Sequence, residues 1–392
     1  MSDVVIVDAV RTPIGKRNGG LSTLHPGETL GIVLKSLIDR TGVDPSEIEQ
    51  VVGGVVSQAG EQAFNLTRTA WLGAGLPMST AATTVDTQCG SSQQATGLAS
   101  SLVGAGVVDA AIACGVEAMS RVPIGSSGNK KLGLGVPIPP PYFDRYEMTS
   151  QFEGAERIAD KWGITREDTD AFGLASQQRA IRAWEEDRFA GQYVSVEAPD
   201  VDEDGEPTGS THVVSRDEGL RETSMEKLAG LKPVAREDGV HTAGNSSQIS
   251  DGAAALMMTT REKAEQLGLT PRARVVDTCL VGTDPELMLT GPIDATERLL
   301  SRTGLSIDDF DLFEINEAFA SVVLAWAKET GADLDKTNPN GGAIALGHPL
   351  GGTGAFLLTK ALYELERIDG DKALISMCCG GGLGTGTIIE RI

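Results

Sequence analysis

The sequence predicts a layered α/β fold, and three observations lead to this prediction. Short strand-like runs such as Val4-Val5-Ile6-Val7 alternate with helical stretches such as the one expected from His25 to about Arg40. Hydrophobic residues make up 40% of the 392 residues, but aromatic residues only 4%, and 48 residues are glycine. Such a composition favours close packing of backbones on Ala, Val, Leu and Gly. The third observation is an internal repeat, which indicates that one α/β unit occurs twice.

The repeat links three segments of the first third of the chain with three segments of the last third. One pair consists of a helix end, an acidic turn and a strand, and the other two pairs are strands. Their identity is low, but two copies of one unit explain all three pairs better than chance does. The pairs are 4–15 with 272–277, 41–52 with 303–314, and 108–116 with 371–380. Residues 122–245 lie between the copies, are rich in proline and glycine clusters, and are expected to form an inserted loop domain.

Charge and cysteine content narrow the class of protein. The formal net charge of −22 argues against binding to nucleic acid or to an anionic membrane, because both need a basic surface. The five cysteines are an odd number, and most lie in apolar or glycine-rich surroundings, which suits a reducing compartment. The N-terminal run MSDVVIVDAVRTP has no long apolar core, and no run approaches the length of a membrane-spanning helix. We therefore expect a soluble cytoplasmic enzyme without membrane insertion.

Cys89 is the first candidate functional residue. It lies where a short β-branched run, 82–86, gives way to a helix of small residues, 90–106. Unpaired backbone N–H groups at a helix start stabilise a thiolate, which makes a cysteine at that place a candidate nucleophile. From this context alone, a small buried apolar cysteine is an equal alternative.

Three glycine-flanked segments are dense in reactive side chains. They are 316–319 (NEAF), 341–349 (GGAIALGHP) and 378–384 (CCGGGLG). Residues just past the ends of parallel strands converge at one edge of a sheet, where ligands bind. The Asn, His and Cys side chains of these segments are therefore candidates for one site together with Cys89.

Each of these side chains also has an alternative explanation. His348 is held between glycine and proline, which favours function over an ordinary core histidine. Asn316 could instead cap the helix that follows it. Cys378 and Cys379 could form a vicinal disulfide, a redox sensor or a metal site. We expect no metal, because no CxxC spacing or second Cys/His cluster accompanies them, and the glycines lack the Lys-Ser/Thr of a P-loop.

Taken together, these segments resemble the thiolase family, the coenzyme A-dependent acyltransferases of the condensing-enzyme superfamily. CGSS at 89–92, NEAF, GGAIALGHP and CxGGGxG from Cys378 occur in the family's order and spacing, and the resemblance covers essentially the whole chain. The pattern QFEGAERIA at 151–159 is most similar to actinobacterial thiolases of fatty-acid β-oxidation and steroid side-chain degradation.

The resemblance implies a fold and a division into domains. The fold would have five layers, α-β-α-β-α, built from two duplicated βαβαβαββ halves. Residues 1–121 and 246–270 would form the N-terminal half, 122–245 the inserted loop domain, and 271–392 the C-terminal half.

The resemblance also implies a role for each candidate residue. Cys89 would attack the acyl carbonyl and carry the acyl group, with His348 as the base that takes its proton. Cys378 would be the second acid/base, because the family's pattern has one variable residue between that cysteine and the glycines. Asn316 would hold a water that stabilises an enolate oxygen together with His348. The N–H groups of Cys89 and Gly380 would form the other oxyanion hole.

Two further segments resemble the family's coenzyme A contacts. HTAGNSSQ at 241–248 is similar to the pantetheine-contacting segment, with Ser247, Ala243 and Gly244 as expected contacts. DEGLR at 217–221 is similar to the segment that places an arginine near the adenine, although a surface salt bridge is the alternative for Arg221. Coenzyme A is thus expected as a co-substrate, acyl-CoA as the partner, and no cofactor as tightly bound.

One departure from the family concerns the acyl pocket. Biosynthetic short-chain thiolases have a His-Met pair where this chain has Ser150-Gln151. The change favours a wider pocket and thiolytic cleavage of a longer 3-oxoacyl-CoA to acetyl-CoA and a shortened acyl-CoA. A biosynthetic acetoacetyl-CoA thiolase is the main alternative. A ketoacyl synthase would lack the second catalytic cysteine, and a non-catalytic lipid-transfer homologue would be expected to lose Cys89 or His348.

Two expectations remain. The resemblance implies a homodimer or a homotetramer, with the 122–145 loop as the region that would join two dimers. The run 352–356 (GTGAF) departs from a common Ser-Gly-Ala-Arg ending, and the sequence predicts no consequence of that change.

Overall fold

The computed structural model describes residues 3–128, 133, 135–202 and 205–392. Its β-strands are β1 (Val4–Arg11), β2 (Gly15–Lys16), β3 (Gln50–Gly54), β4 (Ala81–Val85), β5 (Ala110–Ala118), β6 (Val196–Val201), β7 (Pro207–Val214), β8 (Ser250–Thr260), β9 (Ala273–Gly282), β10 (Leu312–Ile315), β11 (Lys372–Cys379) and β12 (Leu383–Arg391). Its α-helices are α1 (Pro26–Thr41), α2 (Leu66–Gly73), α3 (Ser91–Gly104), α4 (Pro140–Phe143), α5 (Gln151–Trp162), α6 (Arg166–Glu185), α7 (Met225–Ala229), α8 (Arg261–Gln266), α9 (Gly291–Thr303), α10 (Ala320–Thr330) and α11 (Thr353–Ile368).

Two similar half-sheets make up the main sheet. Its strands follow the order β10-β11-β12-β9-β1-β8-β5-β3-β4, with β2 beside β8. Strands β1 and β9 share only two residue pairs, so the join between the halves is narrow. In each half a parallel pair, β3–β5 or β10–β11, is followed by two antiparallel pairings, β5–β8–β1 or β11–β12–β9. The parallel edge strand β4 has a counterpart in the isolated parallel bridge between Phe313 and Thr337.

The duplication predicted from the repeat is confirmed. The paired sequence segments occupy equivalent places in the two halves, as β1 and β9, as the end of α1 with β3 and the end of α9 with β10, and as β5 and β11. Equivalent strands pair in the same order and direction, which a chance match would not produce.

Helices form three layers around the two half-sheets. Helices α3 and α11 lie between the half-sheets and contact strands of both. Helices α1 and α2 pack on the outer face of the first half-sheet, and α9 and α10 pack on the outer face of the second. The predicted five-layer order α-β-α-β-α is therefore confirmed. Small residues make the central layer possible, since a Cβ at Gly354 of α11 would lie 2.6 Å from the Cβ of Gln93 in α3.

Between β5 and β8 the chain leaves the main sheet. It forms α4 to α7 and the separate hairpin β6–β7. The limits 122–245 for an inserted loop domain stay a prediction, and residues 129–132, 134 and 203–204 of that range lie outside the described residues. Among the described helices, none is both long and apolar enough to cross a membrane.

Candidate active site

Cys89 lies in the tight turn that connects β4 to α3, and only 5% of its surface is exposed. The preceding residue, Gln88, has a left-handed backbone with φ 51°. Ser91 holds this turn, because its hydroxyl donates to the Gln88 carbonyl at 2.5 Å. Gly90 leaves no room for a side chain, since a Cβ there would lie 2.6 Å from Sγ of Cys379. The position of the Cys89 thiol is thus fixed by its own turn.

The Cys89 sulfur is a neutral thiol in the resting protein. Burial raises its pKa to about 12, although the backbone N–H groups of Gly380 and of Cys89 itself oppose that rise. Backbone N–H groups near the helix start lower the pKa of this thiol, as the sequence predicts, but burial raises it by more. Helix α3 begins only at Ser91, and the loss of water around the sulfur outweighs the donors that face it. Such a thiol needs a base to become a nucleophile.

His348 offers one unprotonated ring nitrogen toward the site. Its Nδ1 lies 2.7 Å from Oγ1 of Thr353, and that hydroxyl donates its own proton to the Pro349 carbonyl at 3.1 Å. The two contacts together fit the tautomer in which Nδ1–H donates to Thr353 and Nε2 is the free base. Burial lowers the pKa of His348 to about 4, so the imidazole is neutral near pH 7.

Asn316 follows β10 directly and faces this free nitrogen. Its Nδ2 lies 3.5 Å from Nε2 of His348, and its backbone N–H donates to the Ser376 carbonyl of the neighbouring strand at 3.0 Å. The alternative that Asn316 caps the next helix is wrong, because α10 begins at Ala320 and its N-cap is Phe319. The side chain of Asn316 is therefore available to the site.

Cys378 and Cys379 end strand β11 and point to opposite sides of it. Cys378 packs with Ala318 and Phe319, whereas Cys379 packs in the core between the half-sheets. Both are free thiols, and burial raises the pKa of each. Both sulfurs lie close enough to Cys89 for a thiolate at one of these positions to raise the pKa of the others. The alternative of a vicinal disulfide is therefore not met.

The five predicted catalytic residues come together from both halves of the molecule. Parallel pairing of β10 and β11 places the residues after these strands side by side, as expected. The start of α3 packs against the start of α11, where the Ala355 N–H donates to Oγ of Ser92 at 2.9 Å. The residues brought together are Cys89, Asn316, His348, Cys378 and Gly380.

The predicted coenzyme A segment 241–248 is attached to the NEAF segment. The Ser247 N–H donates to the Ala318 carbonyl at 2.9 Å, and the Ala320 N–H donates to the Asn245 carbonyl at 3.0 Å. The Ser247 side chain is half-buried and makes no hydrogen bond within the described part of the chain, so it is free to meet a ligand. Ala243 is exposed and Gly244 is half-buried beside it.

Arg221 lies next to the same segment. Arg221 is exposed, and one of its guanidinium N–H groups faces the Ala243 carbonyl at 3.4 Å. The alternative of a surface salt bridge is not met, because no carboxylate among the described residues pairs with Arg221. A buried ion pair between Arg11 and Asp217, 2.7 Å long, fixes the start of this loop.

Two residues that shape the site were not predicted from the sequence. Thr353, which selects the imidazole tautomer, is in the GTGAF run for which no consequence was predicted, and its position at the start of a helix five residues after His348 was the available signal. Gln248 donates to the carbonyls of Gly219, at 2.9 Å, and Ile344, at 2.8 Å. It thereby ties the Arg221 loop to the His348 loop, and its only signal was its place beside Ser247.

Within the described ranges, no three His, Cys, Asp or Glu side chains are arranged to hold a metal ion. A duplicated five-layer α/β fold, with buried thiols, a free imidazole nitrogen and an amide at the junction of its halves, defines an acyltransferase of the condensing-enzyme type.

Comparisons with known proteins identify the family. Residues 4–262 match the model of the thiolase N-terminal domain, and residues 269–391 match that of the thiolase C-terminal domain. The steroid 3-ketoacyl-CoA thiolase FadA6 of Mycobacterium tuberculosis is 45% identical, over 100% of this chain and 95% of that protein. A β-ketoadipyl-CoA thiolase of Pseudomonas aeruginosa is 42% identical, over 100% and 99%. The solved acetyl-CoA acetyltransferase of Bacillus anthracis is 37% identical with a TM-score of 0.92, over 100% and 99%. The chain therefore belongs to the thiolase family and is an acyltransferase that uses coenzyme A.

Proposed function

We propose that this protein cleaves a 3-oxoacyl-CoA with coenzyme A, through an acyl group carried on Cys89. The observation that supports this most directly is the pair of backbone N–H groups, from Gly380 and from Cys89 itself, that face the sulfur. The same two donors would face the oxygen of a carbonyl attacked by that sulfur. Removing one such donor typically costs about 2.7–4 kcal/mol of transition-state stabilisation.

His348 starts the reaction. Its Nε2 takes the proton of the Cys89 thiol as Sγ attacks the 3-oxo carbon of the substrate. The bond between C2 and C3 then breaks, which leaves the acyl group on Sγ and the enolate of acetyl-CoA. Asn316, through a bound water, and His348 stabilise the enolate oxygen.

Cys378 completes the cycle. Its thiol protonates C2 of the enolate, so that acetyl-CoA leaves. The resulting thiolate takes the proton of an incoming coenzyme A thiol, whose sulfur attacks the acyl group and releases the shortened acyl-CoA from Cys89. The released Cys89 thiolate takes back the proton from His348, which restores both residues. We assign this role to Cys378 rather than to Cys379 because Cys378 packs against the NEAF segment. Cys379 faces the central core.

Ser247, Ala243, Gly244 and Arg221 would bind coenzyme A. The free Ser247 hydroxyl suits the amides of pantetheine. Arg221 would contact the adenine or a phosphate, where a planar cation can stack or donate in pairs. No other cofactor is needed for this chemistry.

The substrate is proposed to be longer or bulkier than acetoacetyl-CoA. Ser150 is small, and Gln151 replaces a thioether by an amide at the start of α5. FadA6 is named for steroid 3-ketoacyl-CoA, which suits a role in fatty-acid or steroid degradation, whereas the Bacillus anthracis protein is named an acetyl-CoA acetyltransferase. A biosynthetic acetoacetyl-CoA thiolase is therefore the second candidate. A ketoacyl synthase or lipid-transfer role fits less well, since both Cys378 and His348 are present.

We further infer that the protein is a homodimer at least, and that it works in the cytoplasm. Its five cysteines are all free thiols, which suits a reducing compartment. The 122–145 loop remains the proposed contact between dimers in a tetramer.

Mass spectrometry after mixing with acyl-CoA tests the proposal. The wild-type protein should gain one acyl group on Cys89. Cys378→Ala should still gain it but should not turn over, because the second acid/base is missing, whereas Cys89→Ser should neither be labelled nor turn over. Cys279→Ala is the matched control and should behave as wild type. An acyl adduct on Cys378 of the wild-type protein would overturn the assignment.

A further inference from the structure

A small cavity lies behind Asn316, on the inner side of the site. Its volume is about 20 Å³, and its polar side chains belong to Asn316, Thr353 and Lys360, all of them buried. A cavity of this size holds one water molecule if two or more polar partners face it.

Lys360 is one turn of α11 beyond Phe356, and only 3% of it is exposed. Its Nζ donates to Oε2 of Glu314 at 2.9 Å and to the Gly341 carbonyl at 2.6 Å. An ammonium group has three N–H donors, and the third has no partner among the described residues. Because Lys360 lines the cavity, a water there would be in reach of this third donor.

Asn316 supplies the matching acceptor. Its NH2 group must face His348, since Nε2 of that ring is unprotonated and can only accept. The amide oxygen therefore points away from His348, and it is buried with no partner. A buried carbonyl without a donor destabilises the conformation that contains it, so a donor that reaches the amide oxygen would stabilise this orientation of Asn316.

We propose that this cavity binds one water, held by Lys360, that donates to the Asn316 amide oxygen and so keeps Nδ2 directed into the site. Lys360 is thereby a positioning residue for C–C bond cleavage, although it is too far inside the protein to touch the substrate. This rests on the proposed function, because it acts through the enolate-stabilising role of Asn316.

Two half-reactions separate positioning from a general structural role. Exchange of labelled coenzyme A into acetyl-CoA needs Cys89 and its N–H donors but breaks no C–C bond. Thiolysis of a 3-oxoacyl-CoA also needs the enolate site. Lys360→Met should lower kcat for thiolysis at least about tenfold, in the range typical for loss of a supporting hydrogen bond. Exchange should stay within about twofold of wild type, and so should thiolysis by the control Lys336→Met.

A double-mutant cycle and a crystal structure complete the test. Lys360→Met added to Asn316→Ala should cause no further loss, because both changes remove the same interaction. The paired variant Glu314→Leu with Lys360→Met removes both charges, and so leaves no unpaired carboxylate if the single variant does not fold. It should show the same selective loss. A high-resolution structure should contain the water in wild type and lack it in Lys360→Met.

Equal losses in both half-reactions, additive losses in the cycle, or an empty cavity in wild type would overturn the inference. Failure of the proposed function would differ from this, since wild type itself would then show no exchange, whereas the crystallographic water would still be present.

Discussion

His348 can act as a base only because Thr353 occupies its other nitrogen. The Thr353 hydroxyl donates its proton to the Pro349 carbonyl, so it can only accept from the ring. This contact fixes the tautomer of His348. Burial then keeps the ring neutral by lowering its pKa to about 4. The tautomer and the charge of His348 are thus set by the Thr353–Pro349 hydrogen bond and by burial, neither of which takes part in the chemistry.

The pH profile should follow from this neutral ring. A base whose pKa is lowered from 6.5 to about 4 stays active as the pH falls below 6.5 and is lost only as the pH approaches 4. We expect kcat/KM for thiolysis to show no acid limb near 6.5. An acid limb centred at 6.5 or above would contradict the burial argument.

The lowered pKa of His348 also makes the free energy of unfolding depend on pH. The unfolded chain binds a proton on His348 below pH 6.5, and the folded chain does so only near 4. The free energy of unfolding should therefore decrease as the pH falls from 6.5 to 4. Circular dichroism at each pH measures unfolding, and so separates a loss of folded protein from a loss of activity caused by protonation of His348.

Residue identity alone predicted the chemical groups of the site but not their protonation states or hydrogen bonds. The sequence contained Cys89, His348, Cys378 and Asn316 in recognisable contexts. The neutral thiol was not predictable from the helix start, because it depends on how much water the surrounding layers exclude. Likewise, the role of Thr353 depends on a hydrogen bond that only the folded turn creates.

The start of helix α5 lies at the proposed acyl end of the site. Ser150 caps this helix, because its hydroxyl oxygen accepts from the Glu153 N–H at 3.1 Å. Gln151 reaches back toward the nucleophile, and its amide nitrogen lies 3.6 Å from the place of a Cβ on Gly380. The amide therefore refills part of the space that the absent thioether leaves, which the sequence alone did not predict.

Gln151→Met should shift substrate preference toward acetoacetyl-CoA. Wild type should favour a long 3-oxoacyl-CoA, since each buried methylene contributes about 0.8 kcal/mol. A methionine restores apolar contact for a short chain and narrows the pocket for a long one. The measurement is the ratio of kcat/KM for the two substrates, with the exposed Gln266→Met as control. If wild type prefers acetoacetyl-CoA by about tenfold or more, equal to about 1.4 kcal/mol, the wide-pocket proposal is wrong.

Elements were easier to predict than their contacts. The alternation of strands and helices and the duplicated segments were visible because burial on a sheet imposes a regular pattern of apolar residues. The tie made by Gln248 between distant loops was not visible, because it joins residues 29 and 96 positions away in sequence. Such contacts follow from topology rather than from local pattern.

At the scale of the molecule, one face is unusually apolar for a surface. Strand β4 ends the main sheet, and no other described strand pairs with its outer edge. Beside it, Phe64 is 90% exposed and Met78 is 84% exposed, and the Asn65 side chain bonds to the Ala82 carbonyl of β4. An open strand edge flanked by apolar side chains is typical of a surface that a second subunit covers.

Phe64→Asp should therefore weaken the homodimer. Truncation of a buried aromatic at an interface commonly costs about 2 kcal/mol or more, so we expect the dissociation constant to rise at least about thirtyfold. Light scattering over a range of concentrations measures this change. Val213→Asp replaces an equally apolar exposed residue on the hairpin and should not alter the mass. A wild-type monomer at micromolar concentration would contradict the prediction.

The central layer also determines when, during synthesis, this protein can first become active. The first half-sheet is complete once β8 has been made, at residue 260. At that point α3 packs only against this half-sheet, and the rest of its surface is uncovered. Its other partners, β9, β12 and α11, are still to come. Since α3 begins two residues after Cys89, we expect the nucleophile to become buried only when α11 and β12, which ends at Arg391, have packed against that helix. Protection of the Cys89 thiol from oxidants therefore indicates that the two halves of the completed chain have packed together.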